Sequence, residues 1–251
     1  MNSFSIRRWL WAKWKGVGYT PPVGSLRLGS LRRVTPISRE FGYDRGLPID
    51  RHYIERFLSA NAADVRGHVL EIADNGYTFR YGGDRVIRSD VLHVTDGNPT
   101  ATIVADLTRA DHIPSGTFDC VILTQTLQFI YDVPAALRTV RRVLKPGGVM
   151  LATVPGISPI SRYDMDRWGC YWAFTSLSAR RLLEALFPAS SISIEAQGNV
   201  LAASAFLYGI AAGELRQSEL DSCDPDYQVV ITMRAVRPAS VDGETSLVAR
   251  T

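Results

Sequence analysis

Two groups of side chains in this sequence have types and spacing suited to chemistry. The first is a series set at or just past the ends of short apolar runs: Glu71 with Ala73, Asn75 and Gly76; Asp90; Asp106 with Leu107; and Thr124, Gln125 and Thr126. A carboxylate offers two acceptor oxygens, so an acid at a strand end suits a ligand carrying paired hydroxyl or amino donors. The second group fills residues 155–175, with Arg162, Tyr163, Asp164, Asp166, Arg167, Trp168, Tyr171 and Trp172. Charged and aromatic groups gathered in one long connection point to recognition of a ligand. His93, Tyr163, Asp164 and Asp166 are the candidate general bases, since each could take a proton from a bound nucleophile. Plain structural readings stand beside these. Asp106 could cap a turn, and Arg162 or Arg167 could pair with Asp164 or Asp166.

The elements that must position these groups are legible as patterns. Cys120–Leu123 is a β-branched apolar run, polar from Thr124 onward, as expected for a strand buried on both faces. From Val133 the positions Ala136, Leu137, Val140, Val143 and Leu144 recur at helical spacing, and Lys145-Pro146-Gly147-Gly148 should stop that helix. Residues 149–154 form another apolar strand, so strand, helix and strand make a right-handed βαβ unit in a parallel sheet. Further strands are expected over 68–73, 85–90, 101–105, 192–196 and 227–236. Helices should follow Asp50 and Thr175 or Ser176, which would cap them, and a further helix should span Val200 to Ala212. In such α/β sheets ligands lie outside the carboxyl ends of the strands, which is where the first group falls.

Length and composition narrow the classes. A chain of 251 residues with 46% hydrophobic content is long enough for one α/β domain with extensions. A formal charge of +3 does not call for a nucleic-acid partner. Cys120, Cys170 and Cys223 are odd in number and form no CxxC pair, which fits a reducing, cytoplasmic compartment and no metal site. No apolar run reaches the length of a bilayer span. Near the N-terminus Arg7, Arg8, Lys13 and Lys15 alternate with Trp9, Leu10, Trp11 and Trp14; this segment either packs on the domain or makes weak membrane-surface contact. The oligomeric state is left open.

The residues Phe118-Asp119 opening a strand, the polar strand end, and Leu144-Lys145-Pro146-Gly147-Gly148 before another strand together resemble class I S-adenosylmethionine-dependent methyltransferases. The likeness runs from about Gly67 to Pro238. It implies a Rossmann-like α/β fold with a seven-stranded, mostly parallel sheet whose last strand is antiparallel. It divides the chain into an N-terminal lid-like extension (1–66), a cofactor-binding domain (67–238) and a disordered tail (239–251). The cofactor it implies is S-adenosylmethionine. Glu71 and the turn Ala73–Tyr77 would meet its methionine and ribose parts, Asp90 both ribose hydroxyls, Asp106 and Leu107 the adenine, and Thr124–Thr126 the sulfonium side. The family's three glycines are here Ala73, Asn75 and Tyr77, and a Glu-His pair seen in many relatives is Gln128-Phe129. Tyr171-Trp172-Ala173-Phe174-Thr175 resembles the YWRFT-like segment of methyltransferases found with sugar and polysaccharide biosynthesis genes, departing at Ala173.

The resemblance therefore implies methyl transfer to an oxygen or nitrogen of a small molecule, a sugar or another biosynthetic intermediate. Acceptor contacts are expected from Tyr43, Arg45, Arg162, Trp168 and Tyr171, the arginines suiting a phosphate or carboxylate. Two other readings stand beside it: an enzyme that uses the same cofactor without methylating, such as an intramolecular cyclase, which the altered glycines and the absent histidine permit, and a non-catalytic scaffold that shares only the fold.

Overall fold

The structure, a computed structural model, describes residues 20–239. The expectations for the basic and aromatic N-terminal segment and for the tail beyond Ala239 lie outside them. The chain divides into two compact units, 1–36 and 37–251. In the first, the described residues are almost all exposed and include one 3₁₀ turn, Gly29–Leu31.

The second unit is built on a sheet of order β3-β2-β1-β4-β5-β7-β6. Its strands are β1 (Gly67–Ile72), β2 (Val86–His93), β3 (Ile103–Val104), β4 (Phe118–Thr124), β5 (Leu144–Pro155), β6 (Ile192–Gln197) and β7 (Val230–Val236). Pairings among β1 to β5 are parallel, and β7 runs antiparallel between β5 and β6. This is the α/β architecture and the antiparallel last strand expected above. The central strands are apolar on both faces. On β4, Val121 and Leu123 join one core while Cys120 and Ile122 join the other; on β5, Met150 and Ala152 alternate in the same way with Val149 and Leu151. Successive side chains point to opposite faces, so a run of this kind is stable only with helices on both sides.

Helices α1 (Ile49–Ala60) and α5 (Val200–Tyr208) supply one cover. Helices α2 (Val133–Val143) and α4 (Ser176–Glu184) supply the other. Two short helices, α3 (Arg162–Trp168) and α6 (Gln217–Asp221), follow β5 and α5. Asp132 caps α2 by accepting from the Ala135 amide, and Thr175 caps α4 in a capping box with Ser178, as its position suggested. No described helix is long and apolar enough to cross a membrane.

Several boundaries differ from the sequence expectations: β5 begins at Leu144, so the expected stop Lys145–Gly148 lies within it, β3 is only Ile103–Val104, and β7 begins at Val230. Strand β2 continues through Val91 and Leu92 to His93. Asp90 therefore lies inside the strand, opposite Leu70, and is buried. It is tolerated there because His68 Nε2 lies 2.6 Å from one oxygen, Thr102 Oγ1 donates to the other at 2.8 Å, and Arg88 stands at 3.3 Å. Burial opposes its ionisation, but these partners outweigh burial and hold its carboxyl below the usual range. Helix α2 ends at Val143, and Lys145 instead donates to Asp119 at 2.6 Å. Asp50 does not cap α1, whose N-cap is Pro48. Finally, α5 stops at Tyr208 because Gly209 adopts a left-handed conformation with φ 69°.

Gly209 also fixes the approach to the sheet. The Ile37 and Ser38 amides donate to the Tyr208 carbonyl at 2.8 and 3.2 Å, and a Cβ on Gly209 would run into the Ser38 carbonyl oxygen. Gly209→Ala is therefore expected to lower unfolding free energy by about 2–3 kcal/mol in urea titration. The control Gly213→Ala, in open space, should stay within about 0.5 kcal/mol.

Candidate active site

The carboxyl ends of β3, β2, β1 and β4 stand side by side, so the segments that leave them form one edge. Over that edge lies a cleft of about 970 Å³. This is at the upper end of the ~300–1,000 Å³ usual for ligand pockets, enough for two small molecules together. The cleft lies where chain order reverses, between β1 and β4. Glu71, Ala73, Gly76, Asp106, Leu107, Thr124, Gln125 and Thr126 all line it. Of the residues expected around the cofactor, Asn75 and Asp90 do not. Asn75 lies toward Ser89, with its amide nitrogen 3.4 Å from that hydroxyl. Asp90 is inside β2, and the strand-end position expected for it belongs to His93, which does line the cleft.

The turn after β1 has an uncommon backbone. Ala73 holds φ 74°, in the left-handed region where a side chain costs about 1–2 kcal/mol. Its amide donates to the Leu92 carbonyl at 3.0 Å, and its own carbonyl accepts from Asn98 at 2.6 Å. Of the three positions that are glycine in the resembling family, this is the one with positive φ; Tyr77 is right-handed at φ −72°. The buried Glu71 then gathers the turn. One oxygen accepts from the Tyr77 amide at 3.3 Å, the other from the Thr78 amide and hydroxyl at 2.7 Å each. Burial pushes the Glu71 carboxyl up to about 7, with the Thr78 hydrogen bonds opposing. Tyr77 lines the cleft with its ring near Tyr81, centroids 6.0 Å apart, and its hydroxyl 3.4 Å from Arg51 Nη1.

The other strand ends present polar atoms. Asp106 uses Oδ1 to accept from the Thr108 amide and hydroxyl, both at 2.8 Å, which leaves Oδ2 for a ligand. Gln125 sits at φ 48° with its amide on the Thr153 carbonyl at 2.9 Å, a kink that turns the chain out of β4. Gln128 donates back to the Gln125 carbonyl at 2.9 Å, and the Gln125 side-chain nitrogen is buried without a partner.

Opposite these, segment 155–175 is pinned over the cleft. The Tyr171 amide donates to the Gln128 carbonyl at 2.8 Å, and the Trp172 indole to Ile130 at 3.1 Å. Ser161 caps α3 and Gly169 ends it. The cleft wall here includes Asp164, Trp168, Tyr171 and, from the loop after β4, Tyr131; the Tyr131 and Tyr171 rings meet edge to face at 5.4 Å. His93 meets Trp168 at 5.4 Å, also edge to face. Tyr43 lines the cleft from the other side.

Among the candidate bases, His93 and Asp164 are therefore brought together at the cleft, while Tyr163 and Asp166 stay outside it. Two expected acceptor contacts are also elsewhere. Arg45 is clamped to Glu214, Nε to oxygen 2.8 Å, and Arg162 lies 3.4 Å from Asp166 on exposed surface. Asp50 is tied to the Arg51 amide and Tyr53 is buried, its hydroxyl on Leu220. Residues not singled out from the sequence but lining the cleft include Arg51, Asp74, Arg80, Tyr131 and Asp132. Arg51 is the one a signal could have found, as a cation in the first turn of a helix, where the dipole disfavours it.

Comparison with known proteins adds a partial family match and a shared fold. Residues 84–152, from β2 through most of β5, match the methyltransferase domain family. A SAM-dependent methyltransferase of Archaeoglobus fulgidus superposes with TM-score 0.52 at 11% identity, covering 80% of this chain and all of that one. Two curated relatives are ubiquinone/menaquinone biosynthesis C-methyltransferases UbiE: that of Haemophilus ducreyi is 41% identical over 59 residues (22% of this chain, 23% of that protein). That of Pasteurella multocida is 44% identical over 52 residues (20% and 19%). The matches thus span less than a quarter of those relatives. Residues 84–152 thus match a methyltransferase domain, and the chain shares the fold of a SAM-dependent methyltransferase.

Two outcomes test this account of the turn. Because the folded Glu71 carboxyl titrates near 7 and the unfolded one near 4.5, the folded state holds the proton more tightly; its stability contribution is greatest below pH 4.5 and falls as pH rises to about 7. The stability difference between wild type and Glu71→Gln should therefore shift against wild type by about 3 kcal/mol across that window, read by denaturant titration at several pH values. Ala73→Gly should raise stability by about 0.5–1 kcal/mol, the relieved strain less the added chain entropy. An unchanged or lower midpoint would mean that Ala73 is unstrained.

Proposed function

We propose that the protein is an S-adenosylmethionine-dependent methyltransferase acting on an oxygen or nitrogen of a small molecule, with a sugar or another biosynthetic intermediate as the acceptor. The observation that carries this reading is the continuous wall of Glu71, Gly76, Asp106, Leu107 and Thr124–Thr126 along the strand ends of one large cleft. The residues fit the cofactor: an unspent Asp106 oxygen for an amino group, Leu107 for a flat ring, and the open turn 73–76 for close backbone approach. S-adenosylmethionine supplies a methyl group made electrophilic by its sulfonium. The chain supplies position and proton transfer. Thr124–Thr126 and the Tyr131–Tyr171 side would hold the acceptor in line, and Asp164 or His93 would take the proton its nucleophile gives up. The relatives named above are carbon methyltransferases by name, but only about a fifth of this chain matches them. Their acceptors are therefore not carried over.

Calorimetric titration with S-adenosylmethionine and S-adenosylhomocysteine tests the reading. Both should bind, and Asp106→Ala should weaken them by about 1–3 kcal/mol, the cost of leaving a buried donor unpaired. Absence of binding by the wild-type protein would leave only a scaffold with this fold.

A further inference from the structure

Three arginines line the cleft: Arg51, Arg80 and Arg167. Two are already engaged. Arg80 is bidentate on Glu55 at 2.7 and 2.8 Å. Arg167 donates to the Tyr163 carbonyl at 2.9 Å and lies over the Tyr163 ring at 3.5 Å. Arg51 is different. Its side chain keeps only 28% of its exposure, yet among the described residues its one side-chain hydrogen bond is a long one, 3.4 Å to the Tyr77 hydroxyl. Its Nε is buried with no hydrogen-bond partner among the described residues. The nearest carboxylate, Asp50, stands 4.0 Å away, beyond hydrogen-bond reach, with its other oxygen spent on the Arg51 amide at 2.8 Å. A guanidinium carries five N–H donors, and a buried charged donor left unpaired is costly.

We propose that Arg51 is an anion-binding residue of the cleft, and that its unspent donors receive a carboxylate or phosphate of a bound molecule. The planar fork of arginine matches either group. Tyr43 and Tyr77 flank the guanidinium and could add hydroxyl donors to the same anion. The inference rests on the function proposed above and deepens it. The anion has two sources, the amino-acid carboxylate of the methyl donor or an acidic group on the acceptor. It replaces Arg45 and Arg162, whose donors are directed to Glu214 and Asp166.

The test compares wild type, Arg51→Gln and Arg51→Lys in two titrations. The first uses S-adenosylhomocysteine, which carries the carboxylate, and 5′-methylthioadenosine, which keeps the nucleoside and lacks the amino-acid part. If the anion is the donor's, Arg51→Gln weakens S-adenosylhomocysteine about 10- to 100-fold and leaves methylthioadenosine unchanged. Arg51→Lys should fall between, since it keeps the charge without the fork. The second titrates inorganic phosphate by NMR, with and without S-adenosylhomocysteine. If the anion is the acceptor's, nucleoside affinities are unchanged and the phosphate response of the wild type is lost in Arg51→Gln. Unchanged behaviour in both titrations overturns the proposal. Methylthioadenosine binding by each variant serves as the check on folding. A wild type that binds neither nucleoside refutes the proposed function instead, and the phosphate arm without nucleoside still decides the role of Arg51.

Discussion

The structure depends on how the chain leaves β1. The strand ends in the middle of the sheet, and the chain must turn at once without blocking the cleft. Two features meet that constraint: Ala73 takes a left-handed conformation, and Glu71 accepts the amides of Tyr77 and Thr78 together with the Thr78 hydroxyl. A carboxylate buried to this degree is costly unless hydrogen-bonded, and here it is satisfied by the turn it organises. Glycine at the first position would make the same turn without strain. Alanine shows that the turn is held by Glu71 and by contacts to β2 and Asn98.

The same logic of satisfied and unsatisfied groups separates scaffold from site. Asp90, Arg45, Arg80 and Arg162 all have partners within the protein, and each is thereby committed to the fold. Among the buried polar atoms without a hydrogen-bond partner in the described residues, the Gln125 amide nitrogen and Arg51 Nε belong to residues that line the cleft, as does Asp106 with its second oxygen; His52, Gln128 and Arg141 carry the others and do not line it. Unpaired polar atoms on a concave surface are more informative about ligands than the number of charges there. The aromatic side, Tyr131 against Tyr171 and His93 against Trp168, is held by main-chain bonds from segment 155–175 to the loop after β4.

Much of this was legible in the sequence because it is local. Apolar runs mark strands, the Ala136–Val143 spacing marks α2, and Thr175 marks the start of α4. What was hidden is what distant residues do to a charge. Asp90 reads as a strand end because a carboxylate rarely enters a sheet interior. His68 and Thr102, brought alongside by β1 and the approach to β3, let β2 carry it. Arg45 reads as a free cation until the fold delivers Glu214. Arg51 carries in the sequence only the weak signal of a cation in a helix's first turn, until Tyr77 and the cleft surround it. Of the segment after β5, the composition pointed to the cleft, but only α3 decides that Asp164 and Trp168 face it while Tyr163 and Asp166 do not.

The central claim is that these strand ends form one nucleoside-binding surface. Hydrogen–deuterium exchange with and without S-adenosylhomocysteine tests it directly. The account predicts slowed exchange of amides at 73–78, 93–95, 106–108 and 124–128, with β6 and β7 unaffected. Protection confined to other segments, or none at saturating ligand, would contradict it.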